Sequence, residues 1–307
     1  MTSKVTAKKM KYKRKKRRRI LRNRLIILSL VLIGLMGYKY KKEVFISIFN
    51  NNDNEKIDIV QKENYLDKIP NEVKNSEDEV IQNLLEKAEK YPKVAEILSN
   101  ISEYPKEFLD LASRKDESIN FVYNYTKYDS KVAKNISINK DYKKGEIPLF
   151  IQWDERWGYE KYGSEFLAIN GCGPTALSMV VVGLTGNKDM NPKAVSDFSF
   201  ENGYLVEGIG SSWTLMSEGA SKLGLKSNSL PLNEDIIINT LKMGQPIIAS
   251  MGPGTFTRTG HFIVLTGVDR ENKIIINDPD SKERSKQRWD MGVFMNETEN
   301  LWTFTVL

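Results

Sequence analysis

Gly171-Cys172-Gly173-Pro174-Thr175 runs straight into an apolar stretch carrying Ala176, Leu177, Met179 and Val180, and the spacing predicts a helix over 173–183. Pro174 suits a first helical turn, where its missing N–H leaves no hydrogen bond unmade. The Cys172 thiol then sits at a helix N-terminus, where unpaired N–H groups and the macrodipole stabilise a thiolate. Gly171 and Gly173 leave room beside it for a carbonyl group and make the cleft around Cys172 a place for a ligand. The Cys172 N–H can donate to a developing oxyanion. A lone cysteine is usually a small buried hydrophobe, but packing alone needs none of these neighbours.

Scarcity sharpens the choice. The 307 residues include one Cys and one His. No intramolecular disulfide is possible, and neither an HExxH zinc motif nor a multi-His metal cluster can be built. No P-loop pattern occurs, and no metal or cofactor is expected. An imidazole base can only be His261. A chain that is 40% hydrophobic and 28% charged has the composition of a globular protein.

His261 follows a loop with Gly252, Gly254 and Gly260 and opens a strand predicted over 261–268. A turn over 269–272 and a returning strand over 273–277 lead into Asn277-Asp278-Pro279. With a four-residue turn, position 263 faces position 278, and strand alternation puts 261 and 263 on one face. His261 and Asp278 become diagonal neighbours within side-chain reach; an odd turn would separate them. Asp278 can then orient the imidazole and stabilise its charged form, although Asp-Pro is also an ordinary turn opener.

Around these residues, 147–152 is a short apolar segment. Ser212 can cap a helix to about 223 and Asn233 another to about 243, with further strands at 246–251 and 301–306. Helices first and hairpin-joined strands second predict an α+β fold with an antiparallel sheet over 141–307. Upstream, 78–140 reads as a small helical region. It has apolar stripes at Val80, Leu84, Leu85 and Ala88, then Val94, Ile97 and Leu98, and a capping start at 76–79. It is either a spacer covering the next domain or a pro-region or docking element. Residues 43–77 read as a polar tether.

The net charge of +6 suggests a nucleic-acid binder until it is located. Of 46 Lys and Arg, 16 fall within 1–42, which leaves 30 against 40 Asp and Glu, a net of −10 for the body. Residues 1–24 form a basic tail, and 25–38 are uncharged and mostly Leu, Ile and Val. Fourteen residues span about 21 Å of helix, short of the roughly 30 Å hydrocarbon core, but flanking Arg and Lys can snorkel. The segment 25–42 is therefore expected to be an uncleaved signal anchor, with membrane contact over 20–42. The excess of positive charge before it puts the N-terminus in the cytoplasm and the body outside, on a single-pass membrane protein. A cleaved signal peptide and a nucleic-acid arm are the alternatives; no nucleic-acid partner is expected. Nothing in the sequence sets an oligomeric state.

Taken together, Gln152-Trp153-Asp154 with Trp157-Gly158, Gly171 to Ala176, Gly260-His261-Phe262 and Asn277-Asp278-Pro279 resemble family 39 of the cysteine peptidases. These are papain-like enzymes whose best-known members clip double-glycine leaders from bacteriocin precursors. The resemblance is to the stand-alone branch and covers about 146–307. It implies a papain-like fold with Cys172 as nucleophile, His261 as base and Asp278 as orienting acid, and it suggests Gln152 as oxyanion donor. Trp153 and Trp213 are candidates for the substrate cleft, or core aromatics. The function so implied is an extracytoplasmic cysteine peptidase acting on a peptide or protein through a thioester. The alternatives are a cell-wall peptide hydrolase or amidase, and a non-catalytic peptide-binding module of the same fold.

Overall fold

The Asp78 carboxylate accepts from the Val80 and Ile81 N–H groups at 2.8 and 3.2 Å and so caps α1, Glu79–Ala88. The cap expected at Ser76 thus belongs to Asp78; Ser76 Oγ accepts from the Asp78 N–H instead. The structure, a computed structural model, describes residues 65–129 and 135–307. The basic tail 1–24, the anchor expected over 25–42 and the tether up to residue 64 lie outside the described residues. Among the described residues no helix is long and apolar enough to cross a membrane.

After α1 come α2 (Pro92–Ser99), α3 (Lys106–Arg114) and α4 (Ile119–Asn124). Their apolar stripes meet, and Leu84, Val94, Ile97, Leu98, Phe108 and Val122 are fully buried. Ile69 and Val73 are buried too, the latter on a short helix, Asn71–Lys74. The polar tether predicted to run to 77 therefore stops earlier, because two apolar anchors sit among its polar residues. Phe108 meets Phe121 edge to face at 5.1 Å, and Phe121 stacks on Tyr159 at 4.3 Å. Such pairs contribute about 0.5–1.5 kcal/mol each beyond the area they bury. They fasten α3 and α4 to the segment around Tyr159, and Lys68–Leu307 is one compact unit.

The central element is α5, Cys172–Thr185, closed by Gly186 at φ 72°, a left-handed cap that glycine adopts without strain. It is apolar all round and buried from Gly173 to Val182, which is what a helix packed on every side requires. Beside it lies a six-stranded sheet, antiparallel throughout. Its strands are β1 (Leu225–Leu230), β2 (Ile247–Met251), β3 (His261–Val268), β4 (Ile274–Asn277), β5 (Arg288–Trp289) and β6 (Thr298–Val306), in the order β1-β6-β2-β3-β4-β5. Side chains alternate along β3. Phe262 and Val264 join the core around α5, whereas Ile263 and Leu265 join a second core with Ile237, Leu241 and Phe294. The mixed α+β architecture with an antiparallel sheet agrees with the sequence expectation.

The β3–β4 hairpin departs from that expectation in an instructive way. Val268 pairs with Ile274 and Gly267 with Ile275, so the turn has five residues, 269–273. An odd turn alone would put His261 and Asp278 on opposite faces. A bulge at Thr266 then skips one residue of β3, and Leu265 pairs with Ile276 and Val264 with Asn277. The two odd counts cancel, and continuing the register brings position 278 level with Ile263, as the four-residue turn had required. Asp269 shapes the turn, its Oδ1 accepting from the Glu271 and Lys273 N–H groups at 2.8 and 2.9 Å.

Asn233 caps Glu234–Lys242 as expected, its side chain accepting from the Ile236 N–H at 3.1 Å. Ser212 precedes a helical stretch over 214–222 that ends where expected, although its middle is wound as a π-helix. Its Oγ accepts from the Thr214 N–H, and the chain makes a wide π turn over Leu215–Gly219 before a short helix, Ala220–Lys222.

Candidate active site

Cys172 is the first residue of α5, with Gly171 at its N-cap (φ −91°, ψ 15°) and no side chain capping the end. In the first turn Pro174 carries no N–H and the Thr175 N–H bonds the Gly171 carbonyl at 3.0 Å, which leaves the Cys172 and Gly173 N–H groups at the helix end, that of Gly173 reaching the thiol. Cys172 and His261 line one cleft of about 540 Å³, with the 254–260 loop on one side and Leu111, Arg114 and Lys115 on another. Burial by itself pushes the Cys172 thiol up. Its hydrogen bond to His261, the imidazolium charge and the Phe262 and Gly173 N–H groups outweigh burial and leave the thiol below its ordinary value.

His261 is buried, and its Nε2 lies 2.7 Å from Asp278 Oδ1. With Nε2 donating to the carboxylate, Nδ1 is the nitrogen left for the thiol. Burial favours the neutral ring, but the Asp278 charge and hydrogen bond, followed by the Cys172 contact, raise its pKa from 6.5 to about 9. Asp278 is wholly buried. Burial raises its pKa, yet His261 and Arg284 together hold the carboxyl below its ordinary value. Arg284 Nε donates to Asp278 Oδ2 at 2.6 Å, and the Asp280 N–H donates to Oδ1 at 2.8 Å. Both carboxylate oxygens are thereby engaged, as a buried charge requires.

The structure brings Cys172, His261 and Asp278 together and treats the other expected residues differently. Gln152 lines the cleft, but its Nε2 donates to the carbonyl oxygens of Ala168 and Ile169 at 2.8 and 3.3 Å. In this structure its amide nitrogen is thus engaged by two protein carbonyls. Trp153 is a core residue, buried, with Nε1 donating to the Asp280 carbonyl at 3.1 Å. Trp213 is 46% exposed and packs edge to face on Trp302, yet it does not line the cleft. The room expected from the two glycines is filled by the protein itself. A Cβ on Gly173 would lie 2.4 Å from Ser211 Oγ, and one on Gly171 would lie 2.4 Å from the Leu167 carbonyl. They are glycines because other parts of the chain approach α5 closely there.

Sequence reasoning missed Arg284, Asp280 and Lys115. Arg284 Nη2 contacts Asp280 Oδ2 at 3.3 Å, and Lys115 Nζ pairs with the same carboxylate. Burial, then the Arg284 charge, draws the Lys115 ammonium down to about 7 against the pull of Asp278. One signal was present: Ser281 followed by Lys282-Glu283-Arg284 is a capped helix start, and a short helix, Lys282–Lys286, does begin there. Among the described residues no group of His, Cys, Asp and Glu is arranged to hold a metal ion.

Residues 144–306 match the model of the Peptidase_C39 like family. No curated protein matches the chain. Solved structures that resemble it include the peptidase domain of Streptococcus ComA, a bi-functional ABC transporter involved in a quorum-sensing pathway. That match is 22% identical over 45% of this chain and 93% of that one, with a TM-score of 0.35. Another is a double glycine motif protease from an AMS/PCAT transporter, in complex with its leader peptide. It is 20% identical over 53% of this chain and 94% of that one, with a TM-score of 0.33.

Proposed function

The chain belongs to the Peptidase_C39 like family, and from that premise we propose that it is a cysteine peptidase working through Cys172, His261 and Asp278. The observation that carries this is the continuous relay from Arg284 through Asp278 to His261 and on to a thiol at a helix N-terminus. In the proposed reaction the thiolate attacks a peptide carbonyl carbon, and the new oxyanion is met by first-turn N–H groups of α5. The His261 imidazolium gives its proton to the amine nitrogen as the C–N bond breaks, and a thioester remains. His261 then takes a proton from water as it attacks the thioester, and thiolate and imidazolium are restored with the free acid.

The pH dependence follows from the two shifts. Thiolate is lost as the pH falls through the lowered value of Cys172, and the imidazolium is lost as the pH rises through about 9. Activity is bell-shaped, with its alkaline limb near 9. Thiol alkylation tests the pair without a known substrate. In His261→Ala, burial remains while the two largest influences that lower the thiol, the His261 hydrogen bond and charge, are gone, so the alkylation midpoint moves upward. The rate at pH 7 then falls by about tenfold or more, because only the thiolate reacts. A wild-type midpoint near that of an ordinary thiol, about 8.5, unchanged in His261→Ala, would sink the proposal.

The basic residues before position 25 and the uncharged run 25–38 support anchoring in the cytoplasmic membrane with the peptidase outside. A membrane-impermeant protease added to intact cells is then expected to digest the body of the protein. Full protection until the membrane is opened would overturn that placement.

A further inference from the structure

The family match begins at residue 144, yet two residues well before it reach the segment that holds the orienting carboxylate. Lys115, just after α3, pairs through Nζ with the Asp280 carboxylate and donates to the Asp280 carbonyl at 3.0 Å. Glu117 accepts from Ser281 Oγ at 2.5 Å through one oxygen, and from the Lys282 and Glu283 N–H groups at 2.9 and 3.3 Å through the other. It thereby caps the short helix Lys282–Lys286 from outside, alongside Ser281. That helix carries Arg284, whose Nε grips Asp278 Oδ2, and Ser285, whose Oγ accepts from the Asp278 N–H at 2.9 Å. Asp280 also gives its N–H to Asp278 Oδ1. Every group that fixes the Asp278 carboxylate, apart from His261, therefore lies on a segment pinned by Lys115 and Glu117.

We propose that Lys115 and Glu117 are positioning residues of the proteolytic site, so that the helical region upstream of the family match is a working part of the peptidase. This rests on the triad reading given above. Neither residue touches the reacting atoms. They hold residues 278–286 in the one arrangement that lets Asp278 orient His261 and keep it charged. The side chains of Lys115 and Asp280 are only 13% and 20% exposed, so the pair is poorly screened and loses much when one partner goes.

The test uses the full chain and the alkylation rate of Cys172 from pH 5 to 10, with thermal melts alongside. In Lys115→Met and Glu117→Ala the thiolate midpoint should rise, which lowers the rate severalfold at pH values below the wild-type midpoint while the rate well above both midpoints stays the same. Glu117→Gln, which keeps one carbonyl oxygen, should stay close to wild type. Leu84→Ala loosens the same helical region from the buried face of α1 without touching residues 278–286, and it should leave the midpoint in place. If Lys115→Met and Glu117→Ala overlay a depressed wild-type curve, the positioning role is overturned and the triad stands. If Leu84→Ala shifts the midpoint as far as they do, the role is general support and the proposal is again overturned. An ordinary wild-type midpoint removes the triad itself, a result these variants cannot mimic.

Discussion

Cys172→Ala should abolish peptide cleavage and leave the fold intact. Loss of the nucleophile in a three-residue relay lowers turnover by about 10⁴-fold or more, because what remains is binding and oxyanion stabilisation alone. The side chain is small and only partly buried, so thermal unfolding should move little. Without a known substrate, the measurement is a comparison of the N-termini of surface and medium proteins from wild-type and Cys172→Ala cells. Termini present only in wild type would identify substrates. Identical sets would sink the protein-processing form of the proposal, and a change confined to wall peptides would move the substrate to the cell wall. The chain has one Cys, so no second thiol can mask the effect.

Asp278→Asn should be nearly as damaging to activity and far more damaging to stability. The amide still fits but offers His261 the wrong hydrogen-bonding pattern, and an equivalent change in a serine protease relay lowers turnover about 10⁴-fold. Here the carboxylate also neutralises Arg284, whose side chain is 20% exposed. Breaking a fully buried pair by removing one partner costs about 3–5 kcal/mol; here Asp280, 3.3 Å from Arg284 Nη2, still compensates part of the charge, so the cost is smaller. The expected result is therefore inactivity, a clearly lower unfolding temperature and an alkylation midpoint moved upward. Replacing Asp278 and Arg284 together with Asn and Met should recover stability but not activity. A single Asn variant as stable and as reactive as wild type would remove Asp278 from the site.

The candidate nucleophile and base were legible in the sequence because each is the sole member of its residue type and each has telling neighbours. The helix carrying Cys172 and the strand opened by His261 follow from apolar runs of unambiguous length. Asp278 was legible for a partly mistaken reason, since the expected even turn is an odd turn corrected by a bulge. Bulges depend on how a whole sheet twists, and no local pattern around Thr266 announces one. β1 was missed because Lys226, Ser227, Asn228 and Ser229 show no apolar alternation; its pairing with β6 defines it. Gly171 and Gly173 were read as space for a ligand, while the atoms that fill the space come from Leu167 and Ser211. Lys115 and Glu117 meet residues 280–283 across roughly 165 positions of chain, a separation no motif spans.

The bulge at Thr266 also limits how this protein can vary. With the bulge lost and every residue kept, the register set by Val268 and Ile274 would run on and put position 278 level with Val264, away from His261. A turn of another length leaves that register alone as long as Val268 and Ile274 still pair. The exposed turn is therefore free to vary in length, while the one-residue skip in β3 holds the buried carboxylate in place at the far end of the strand.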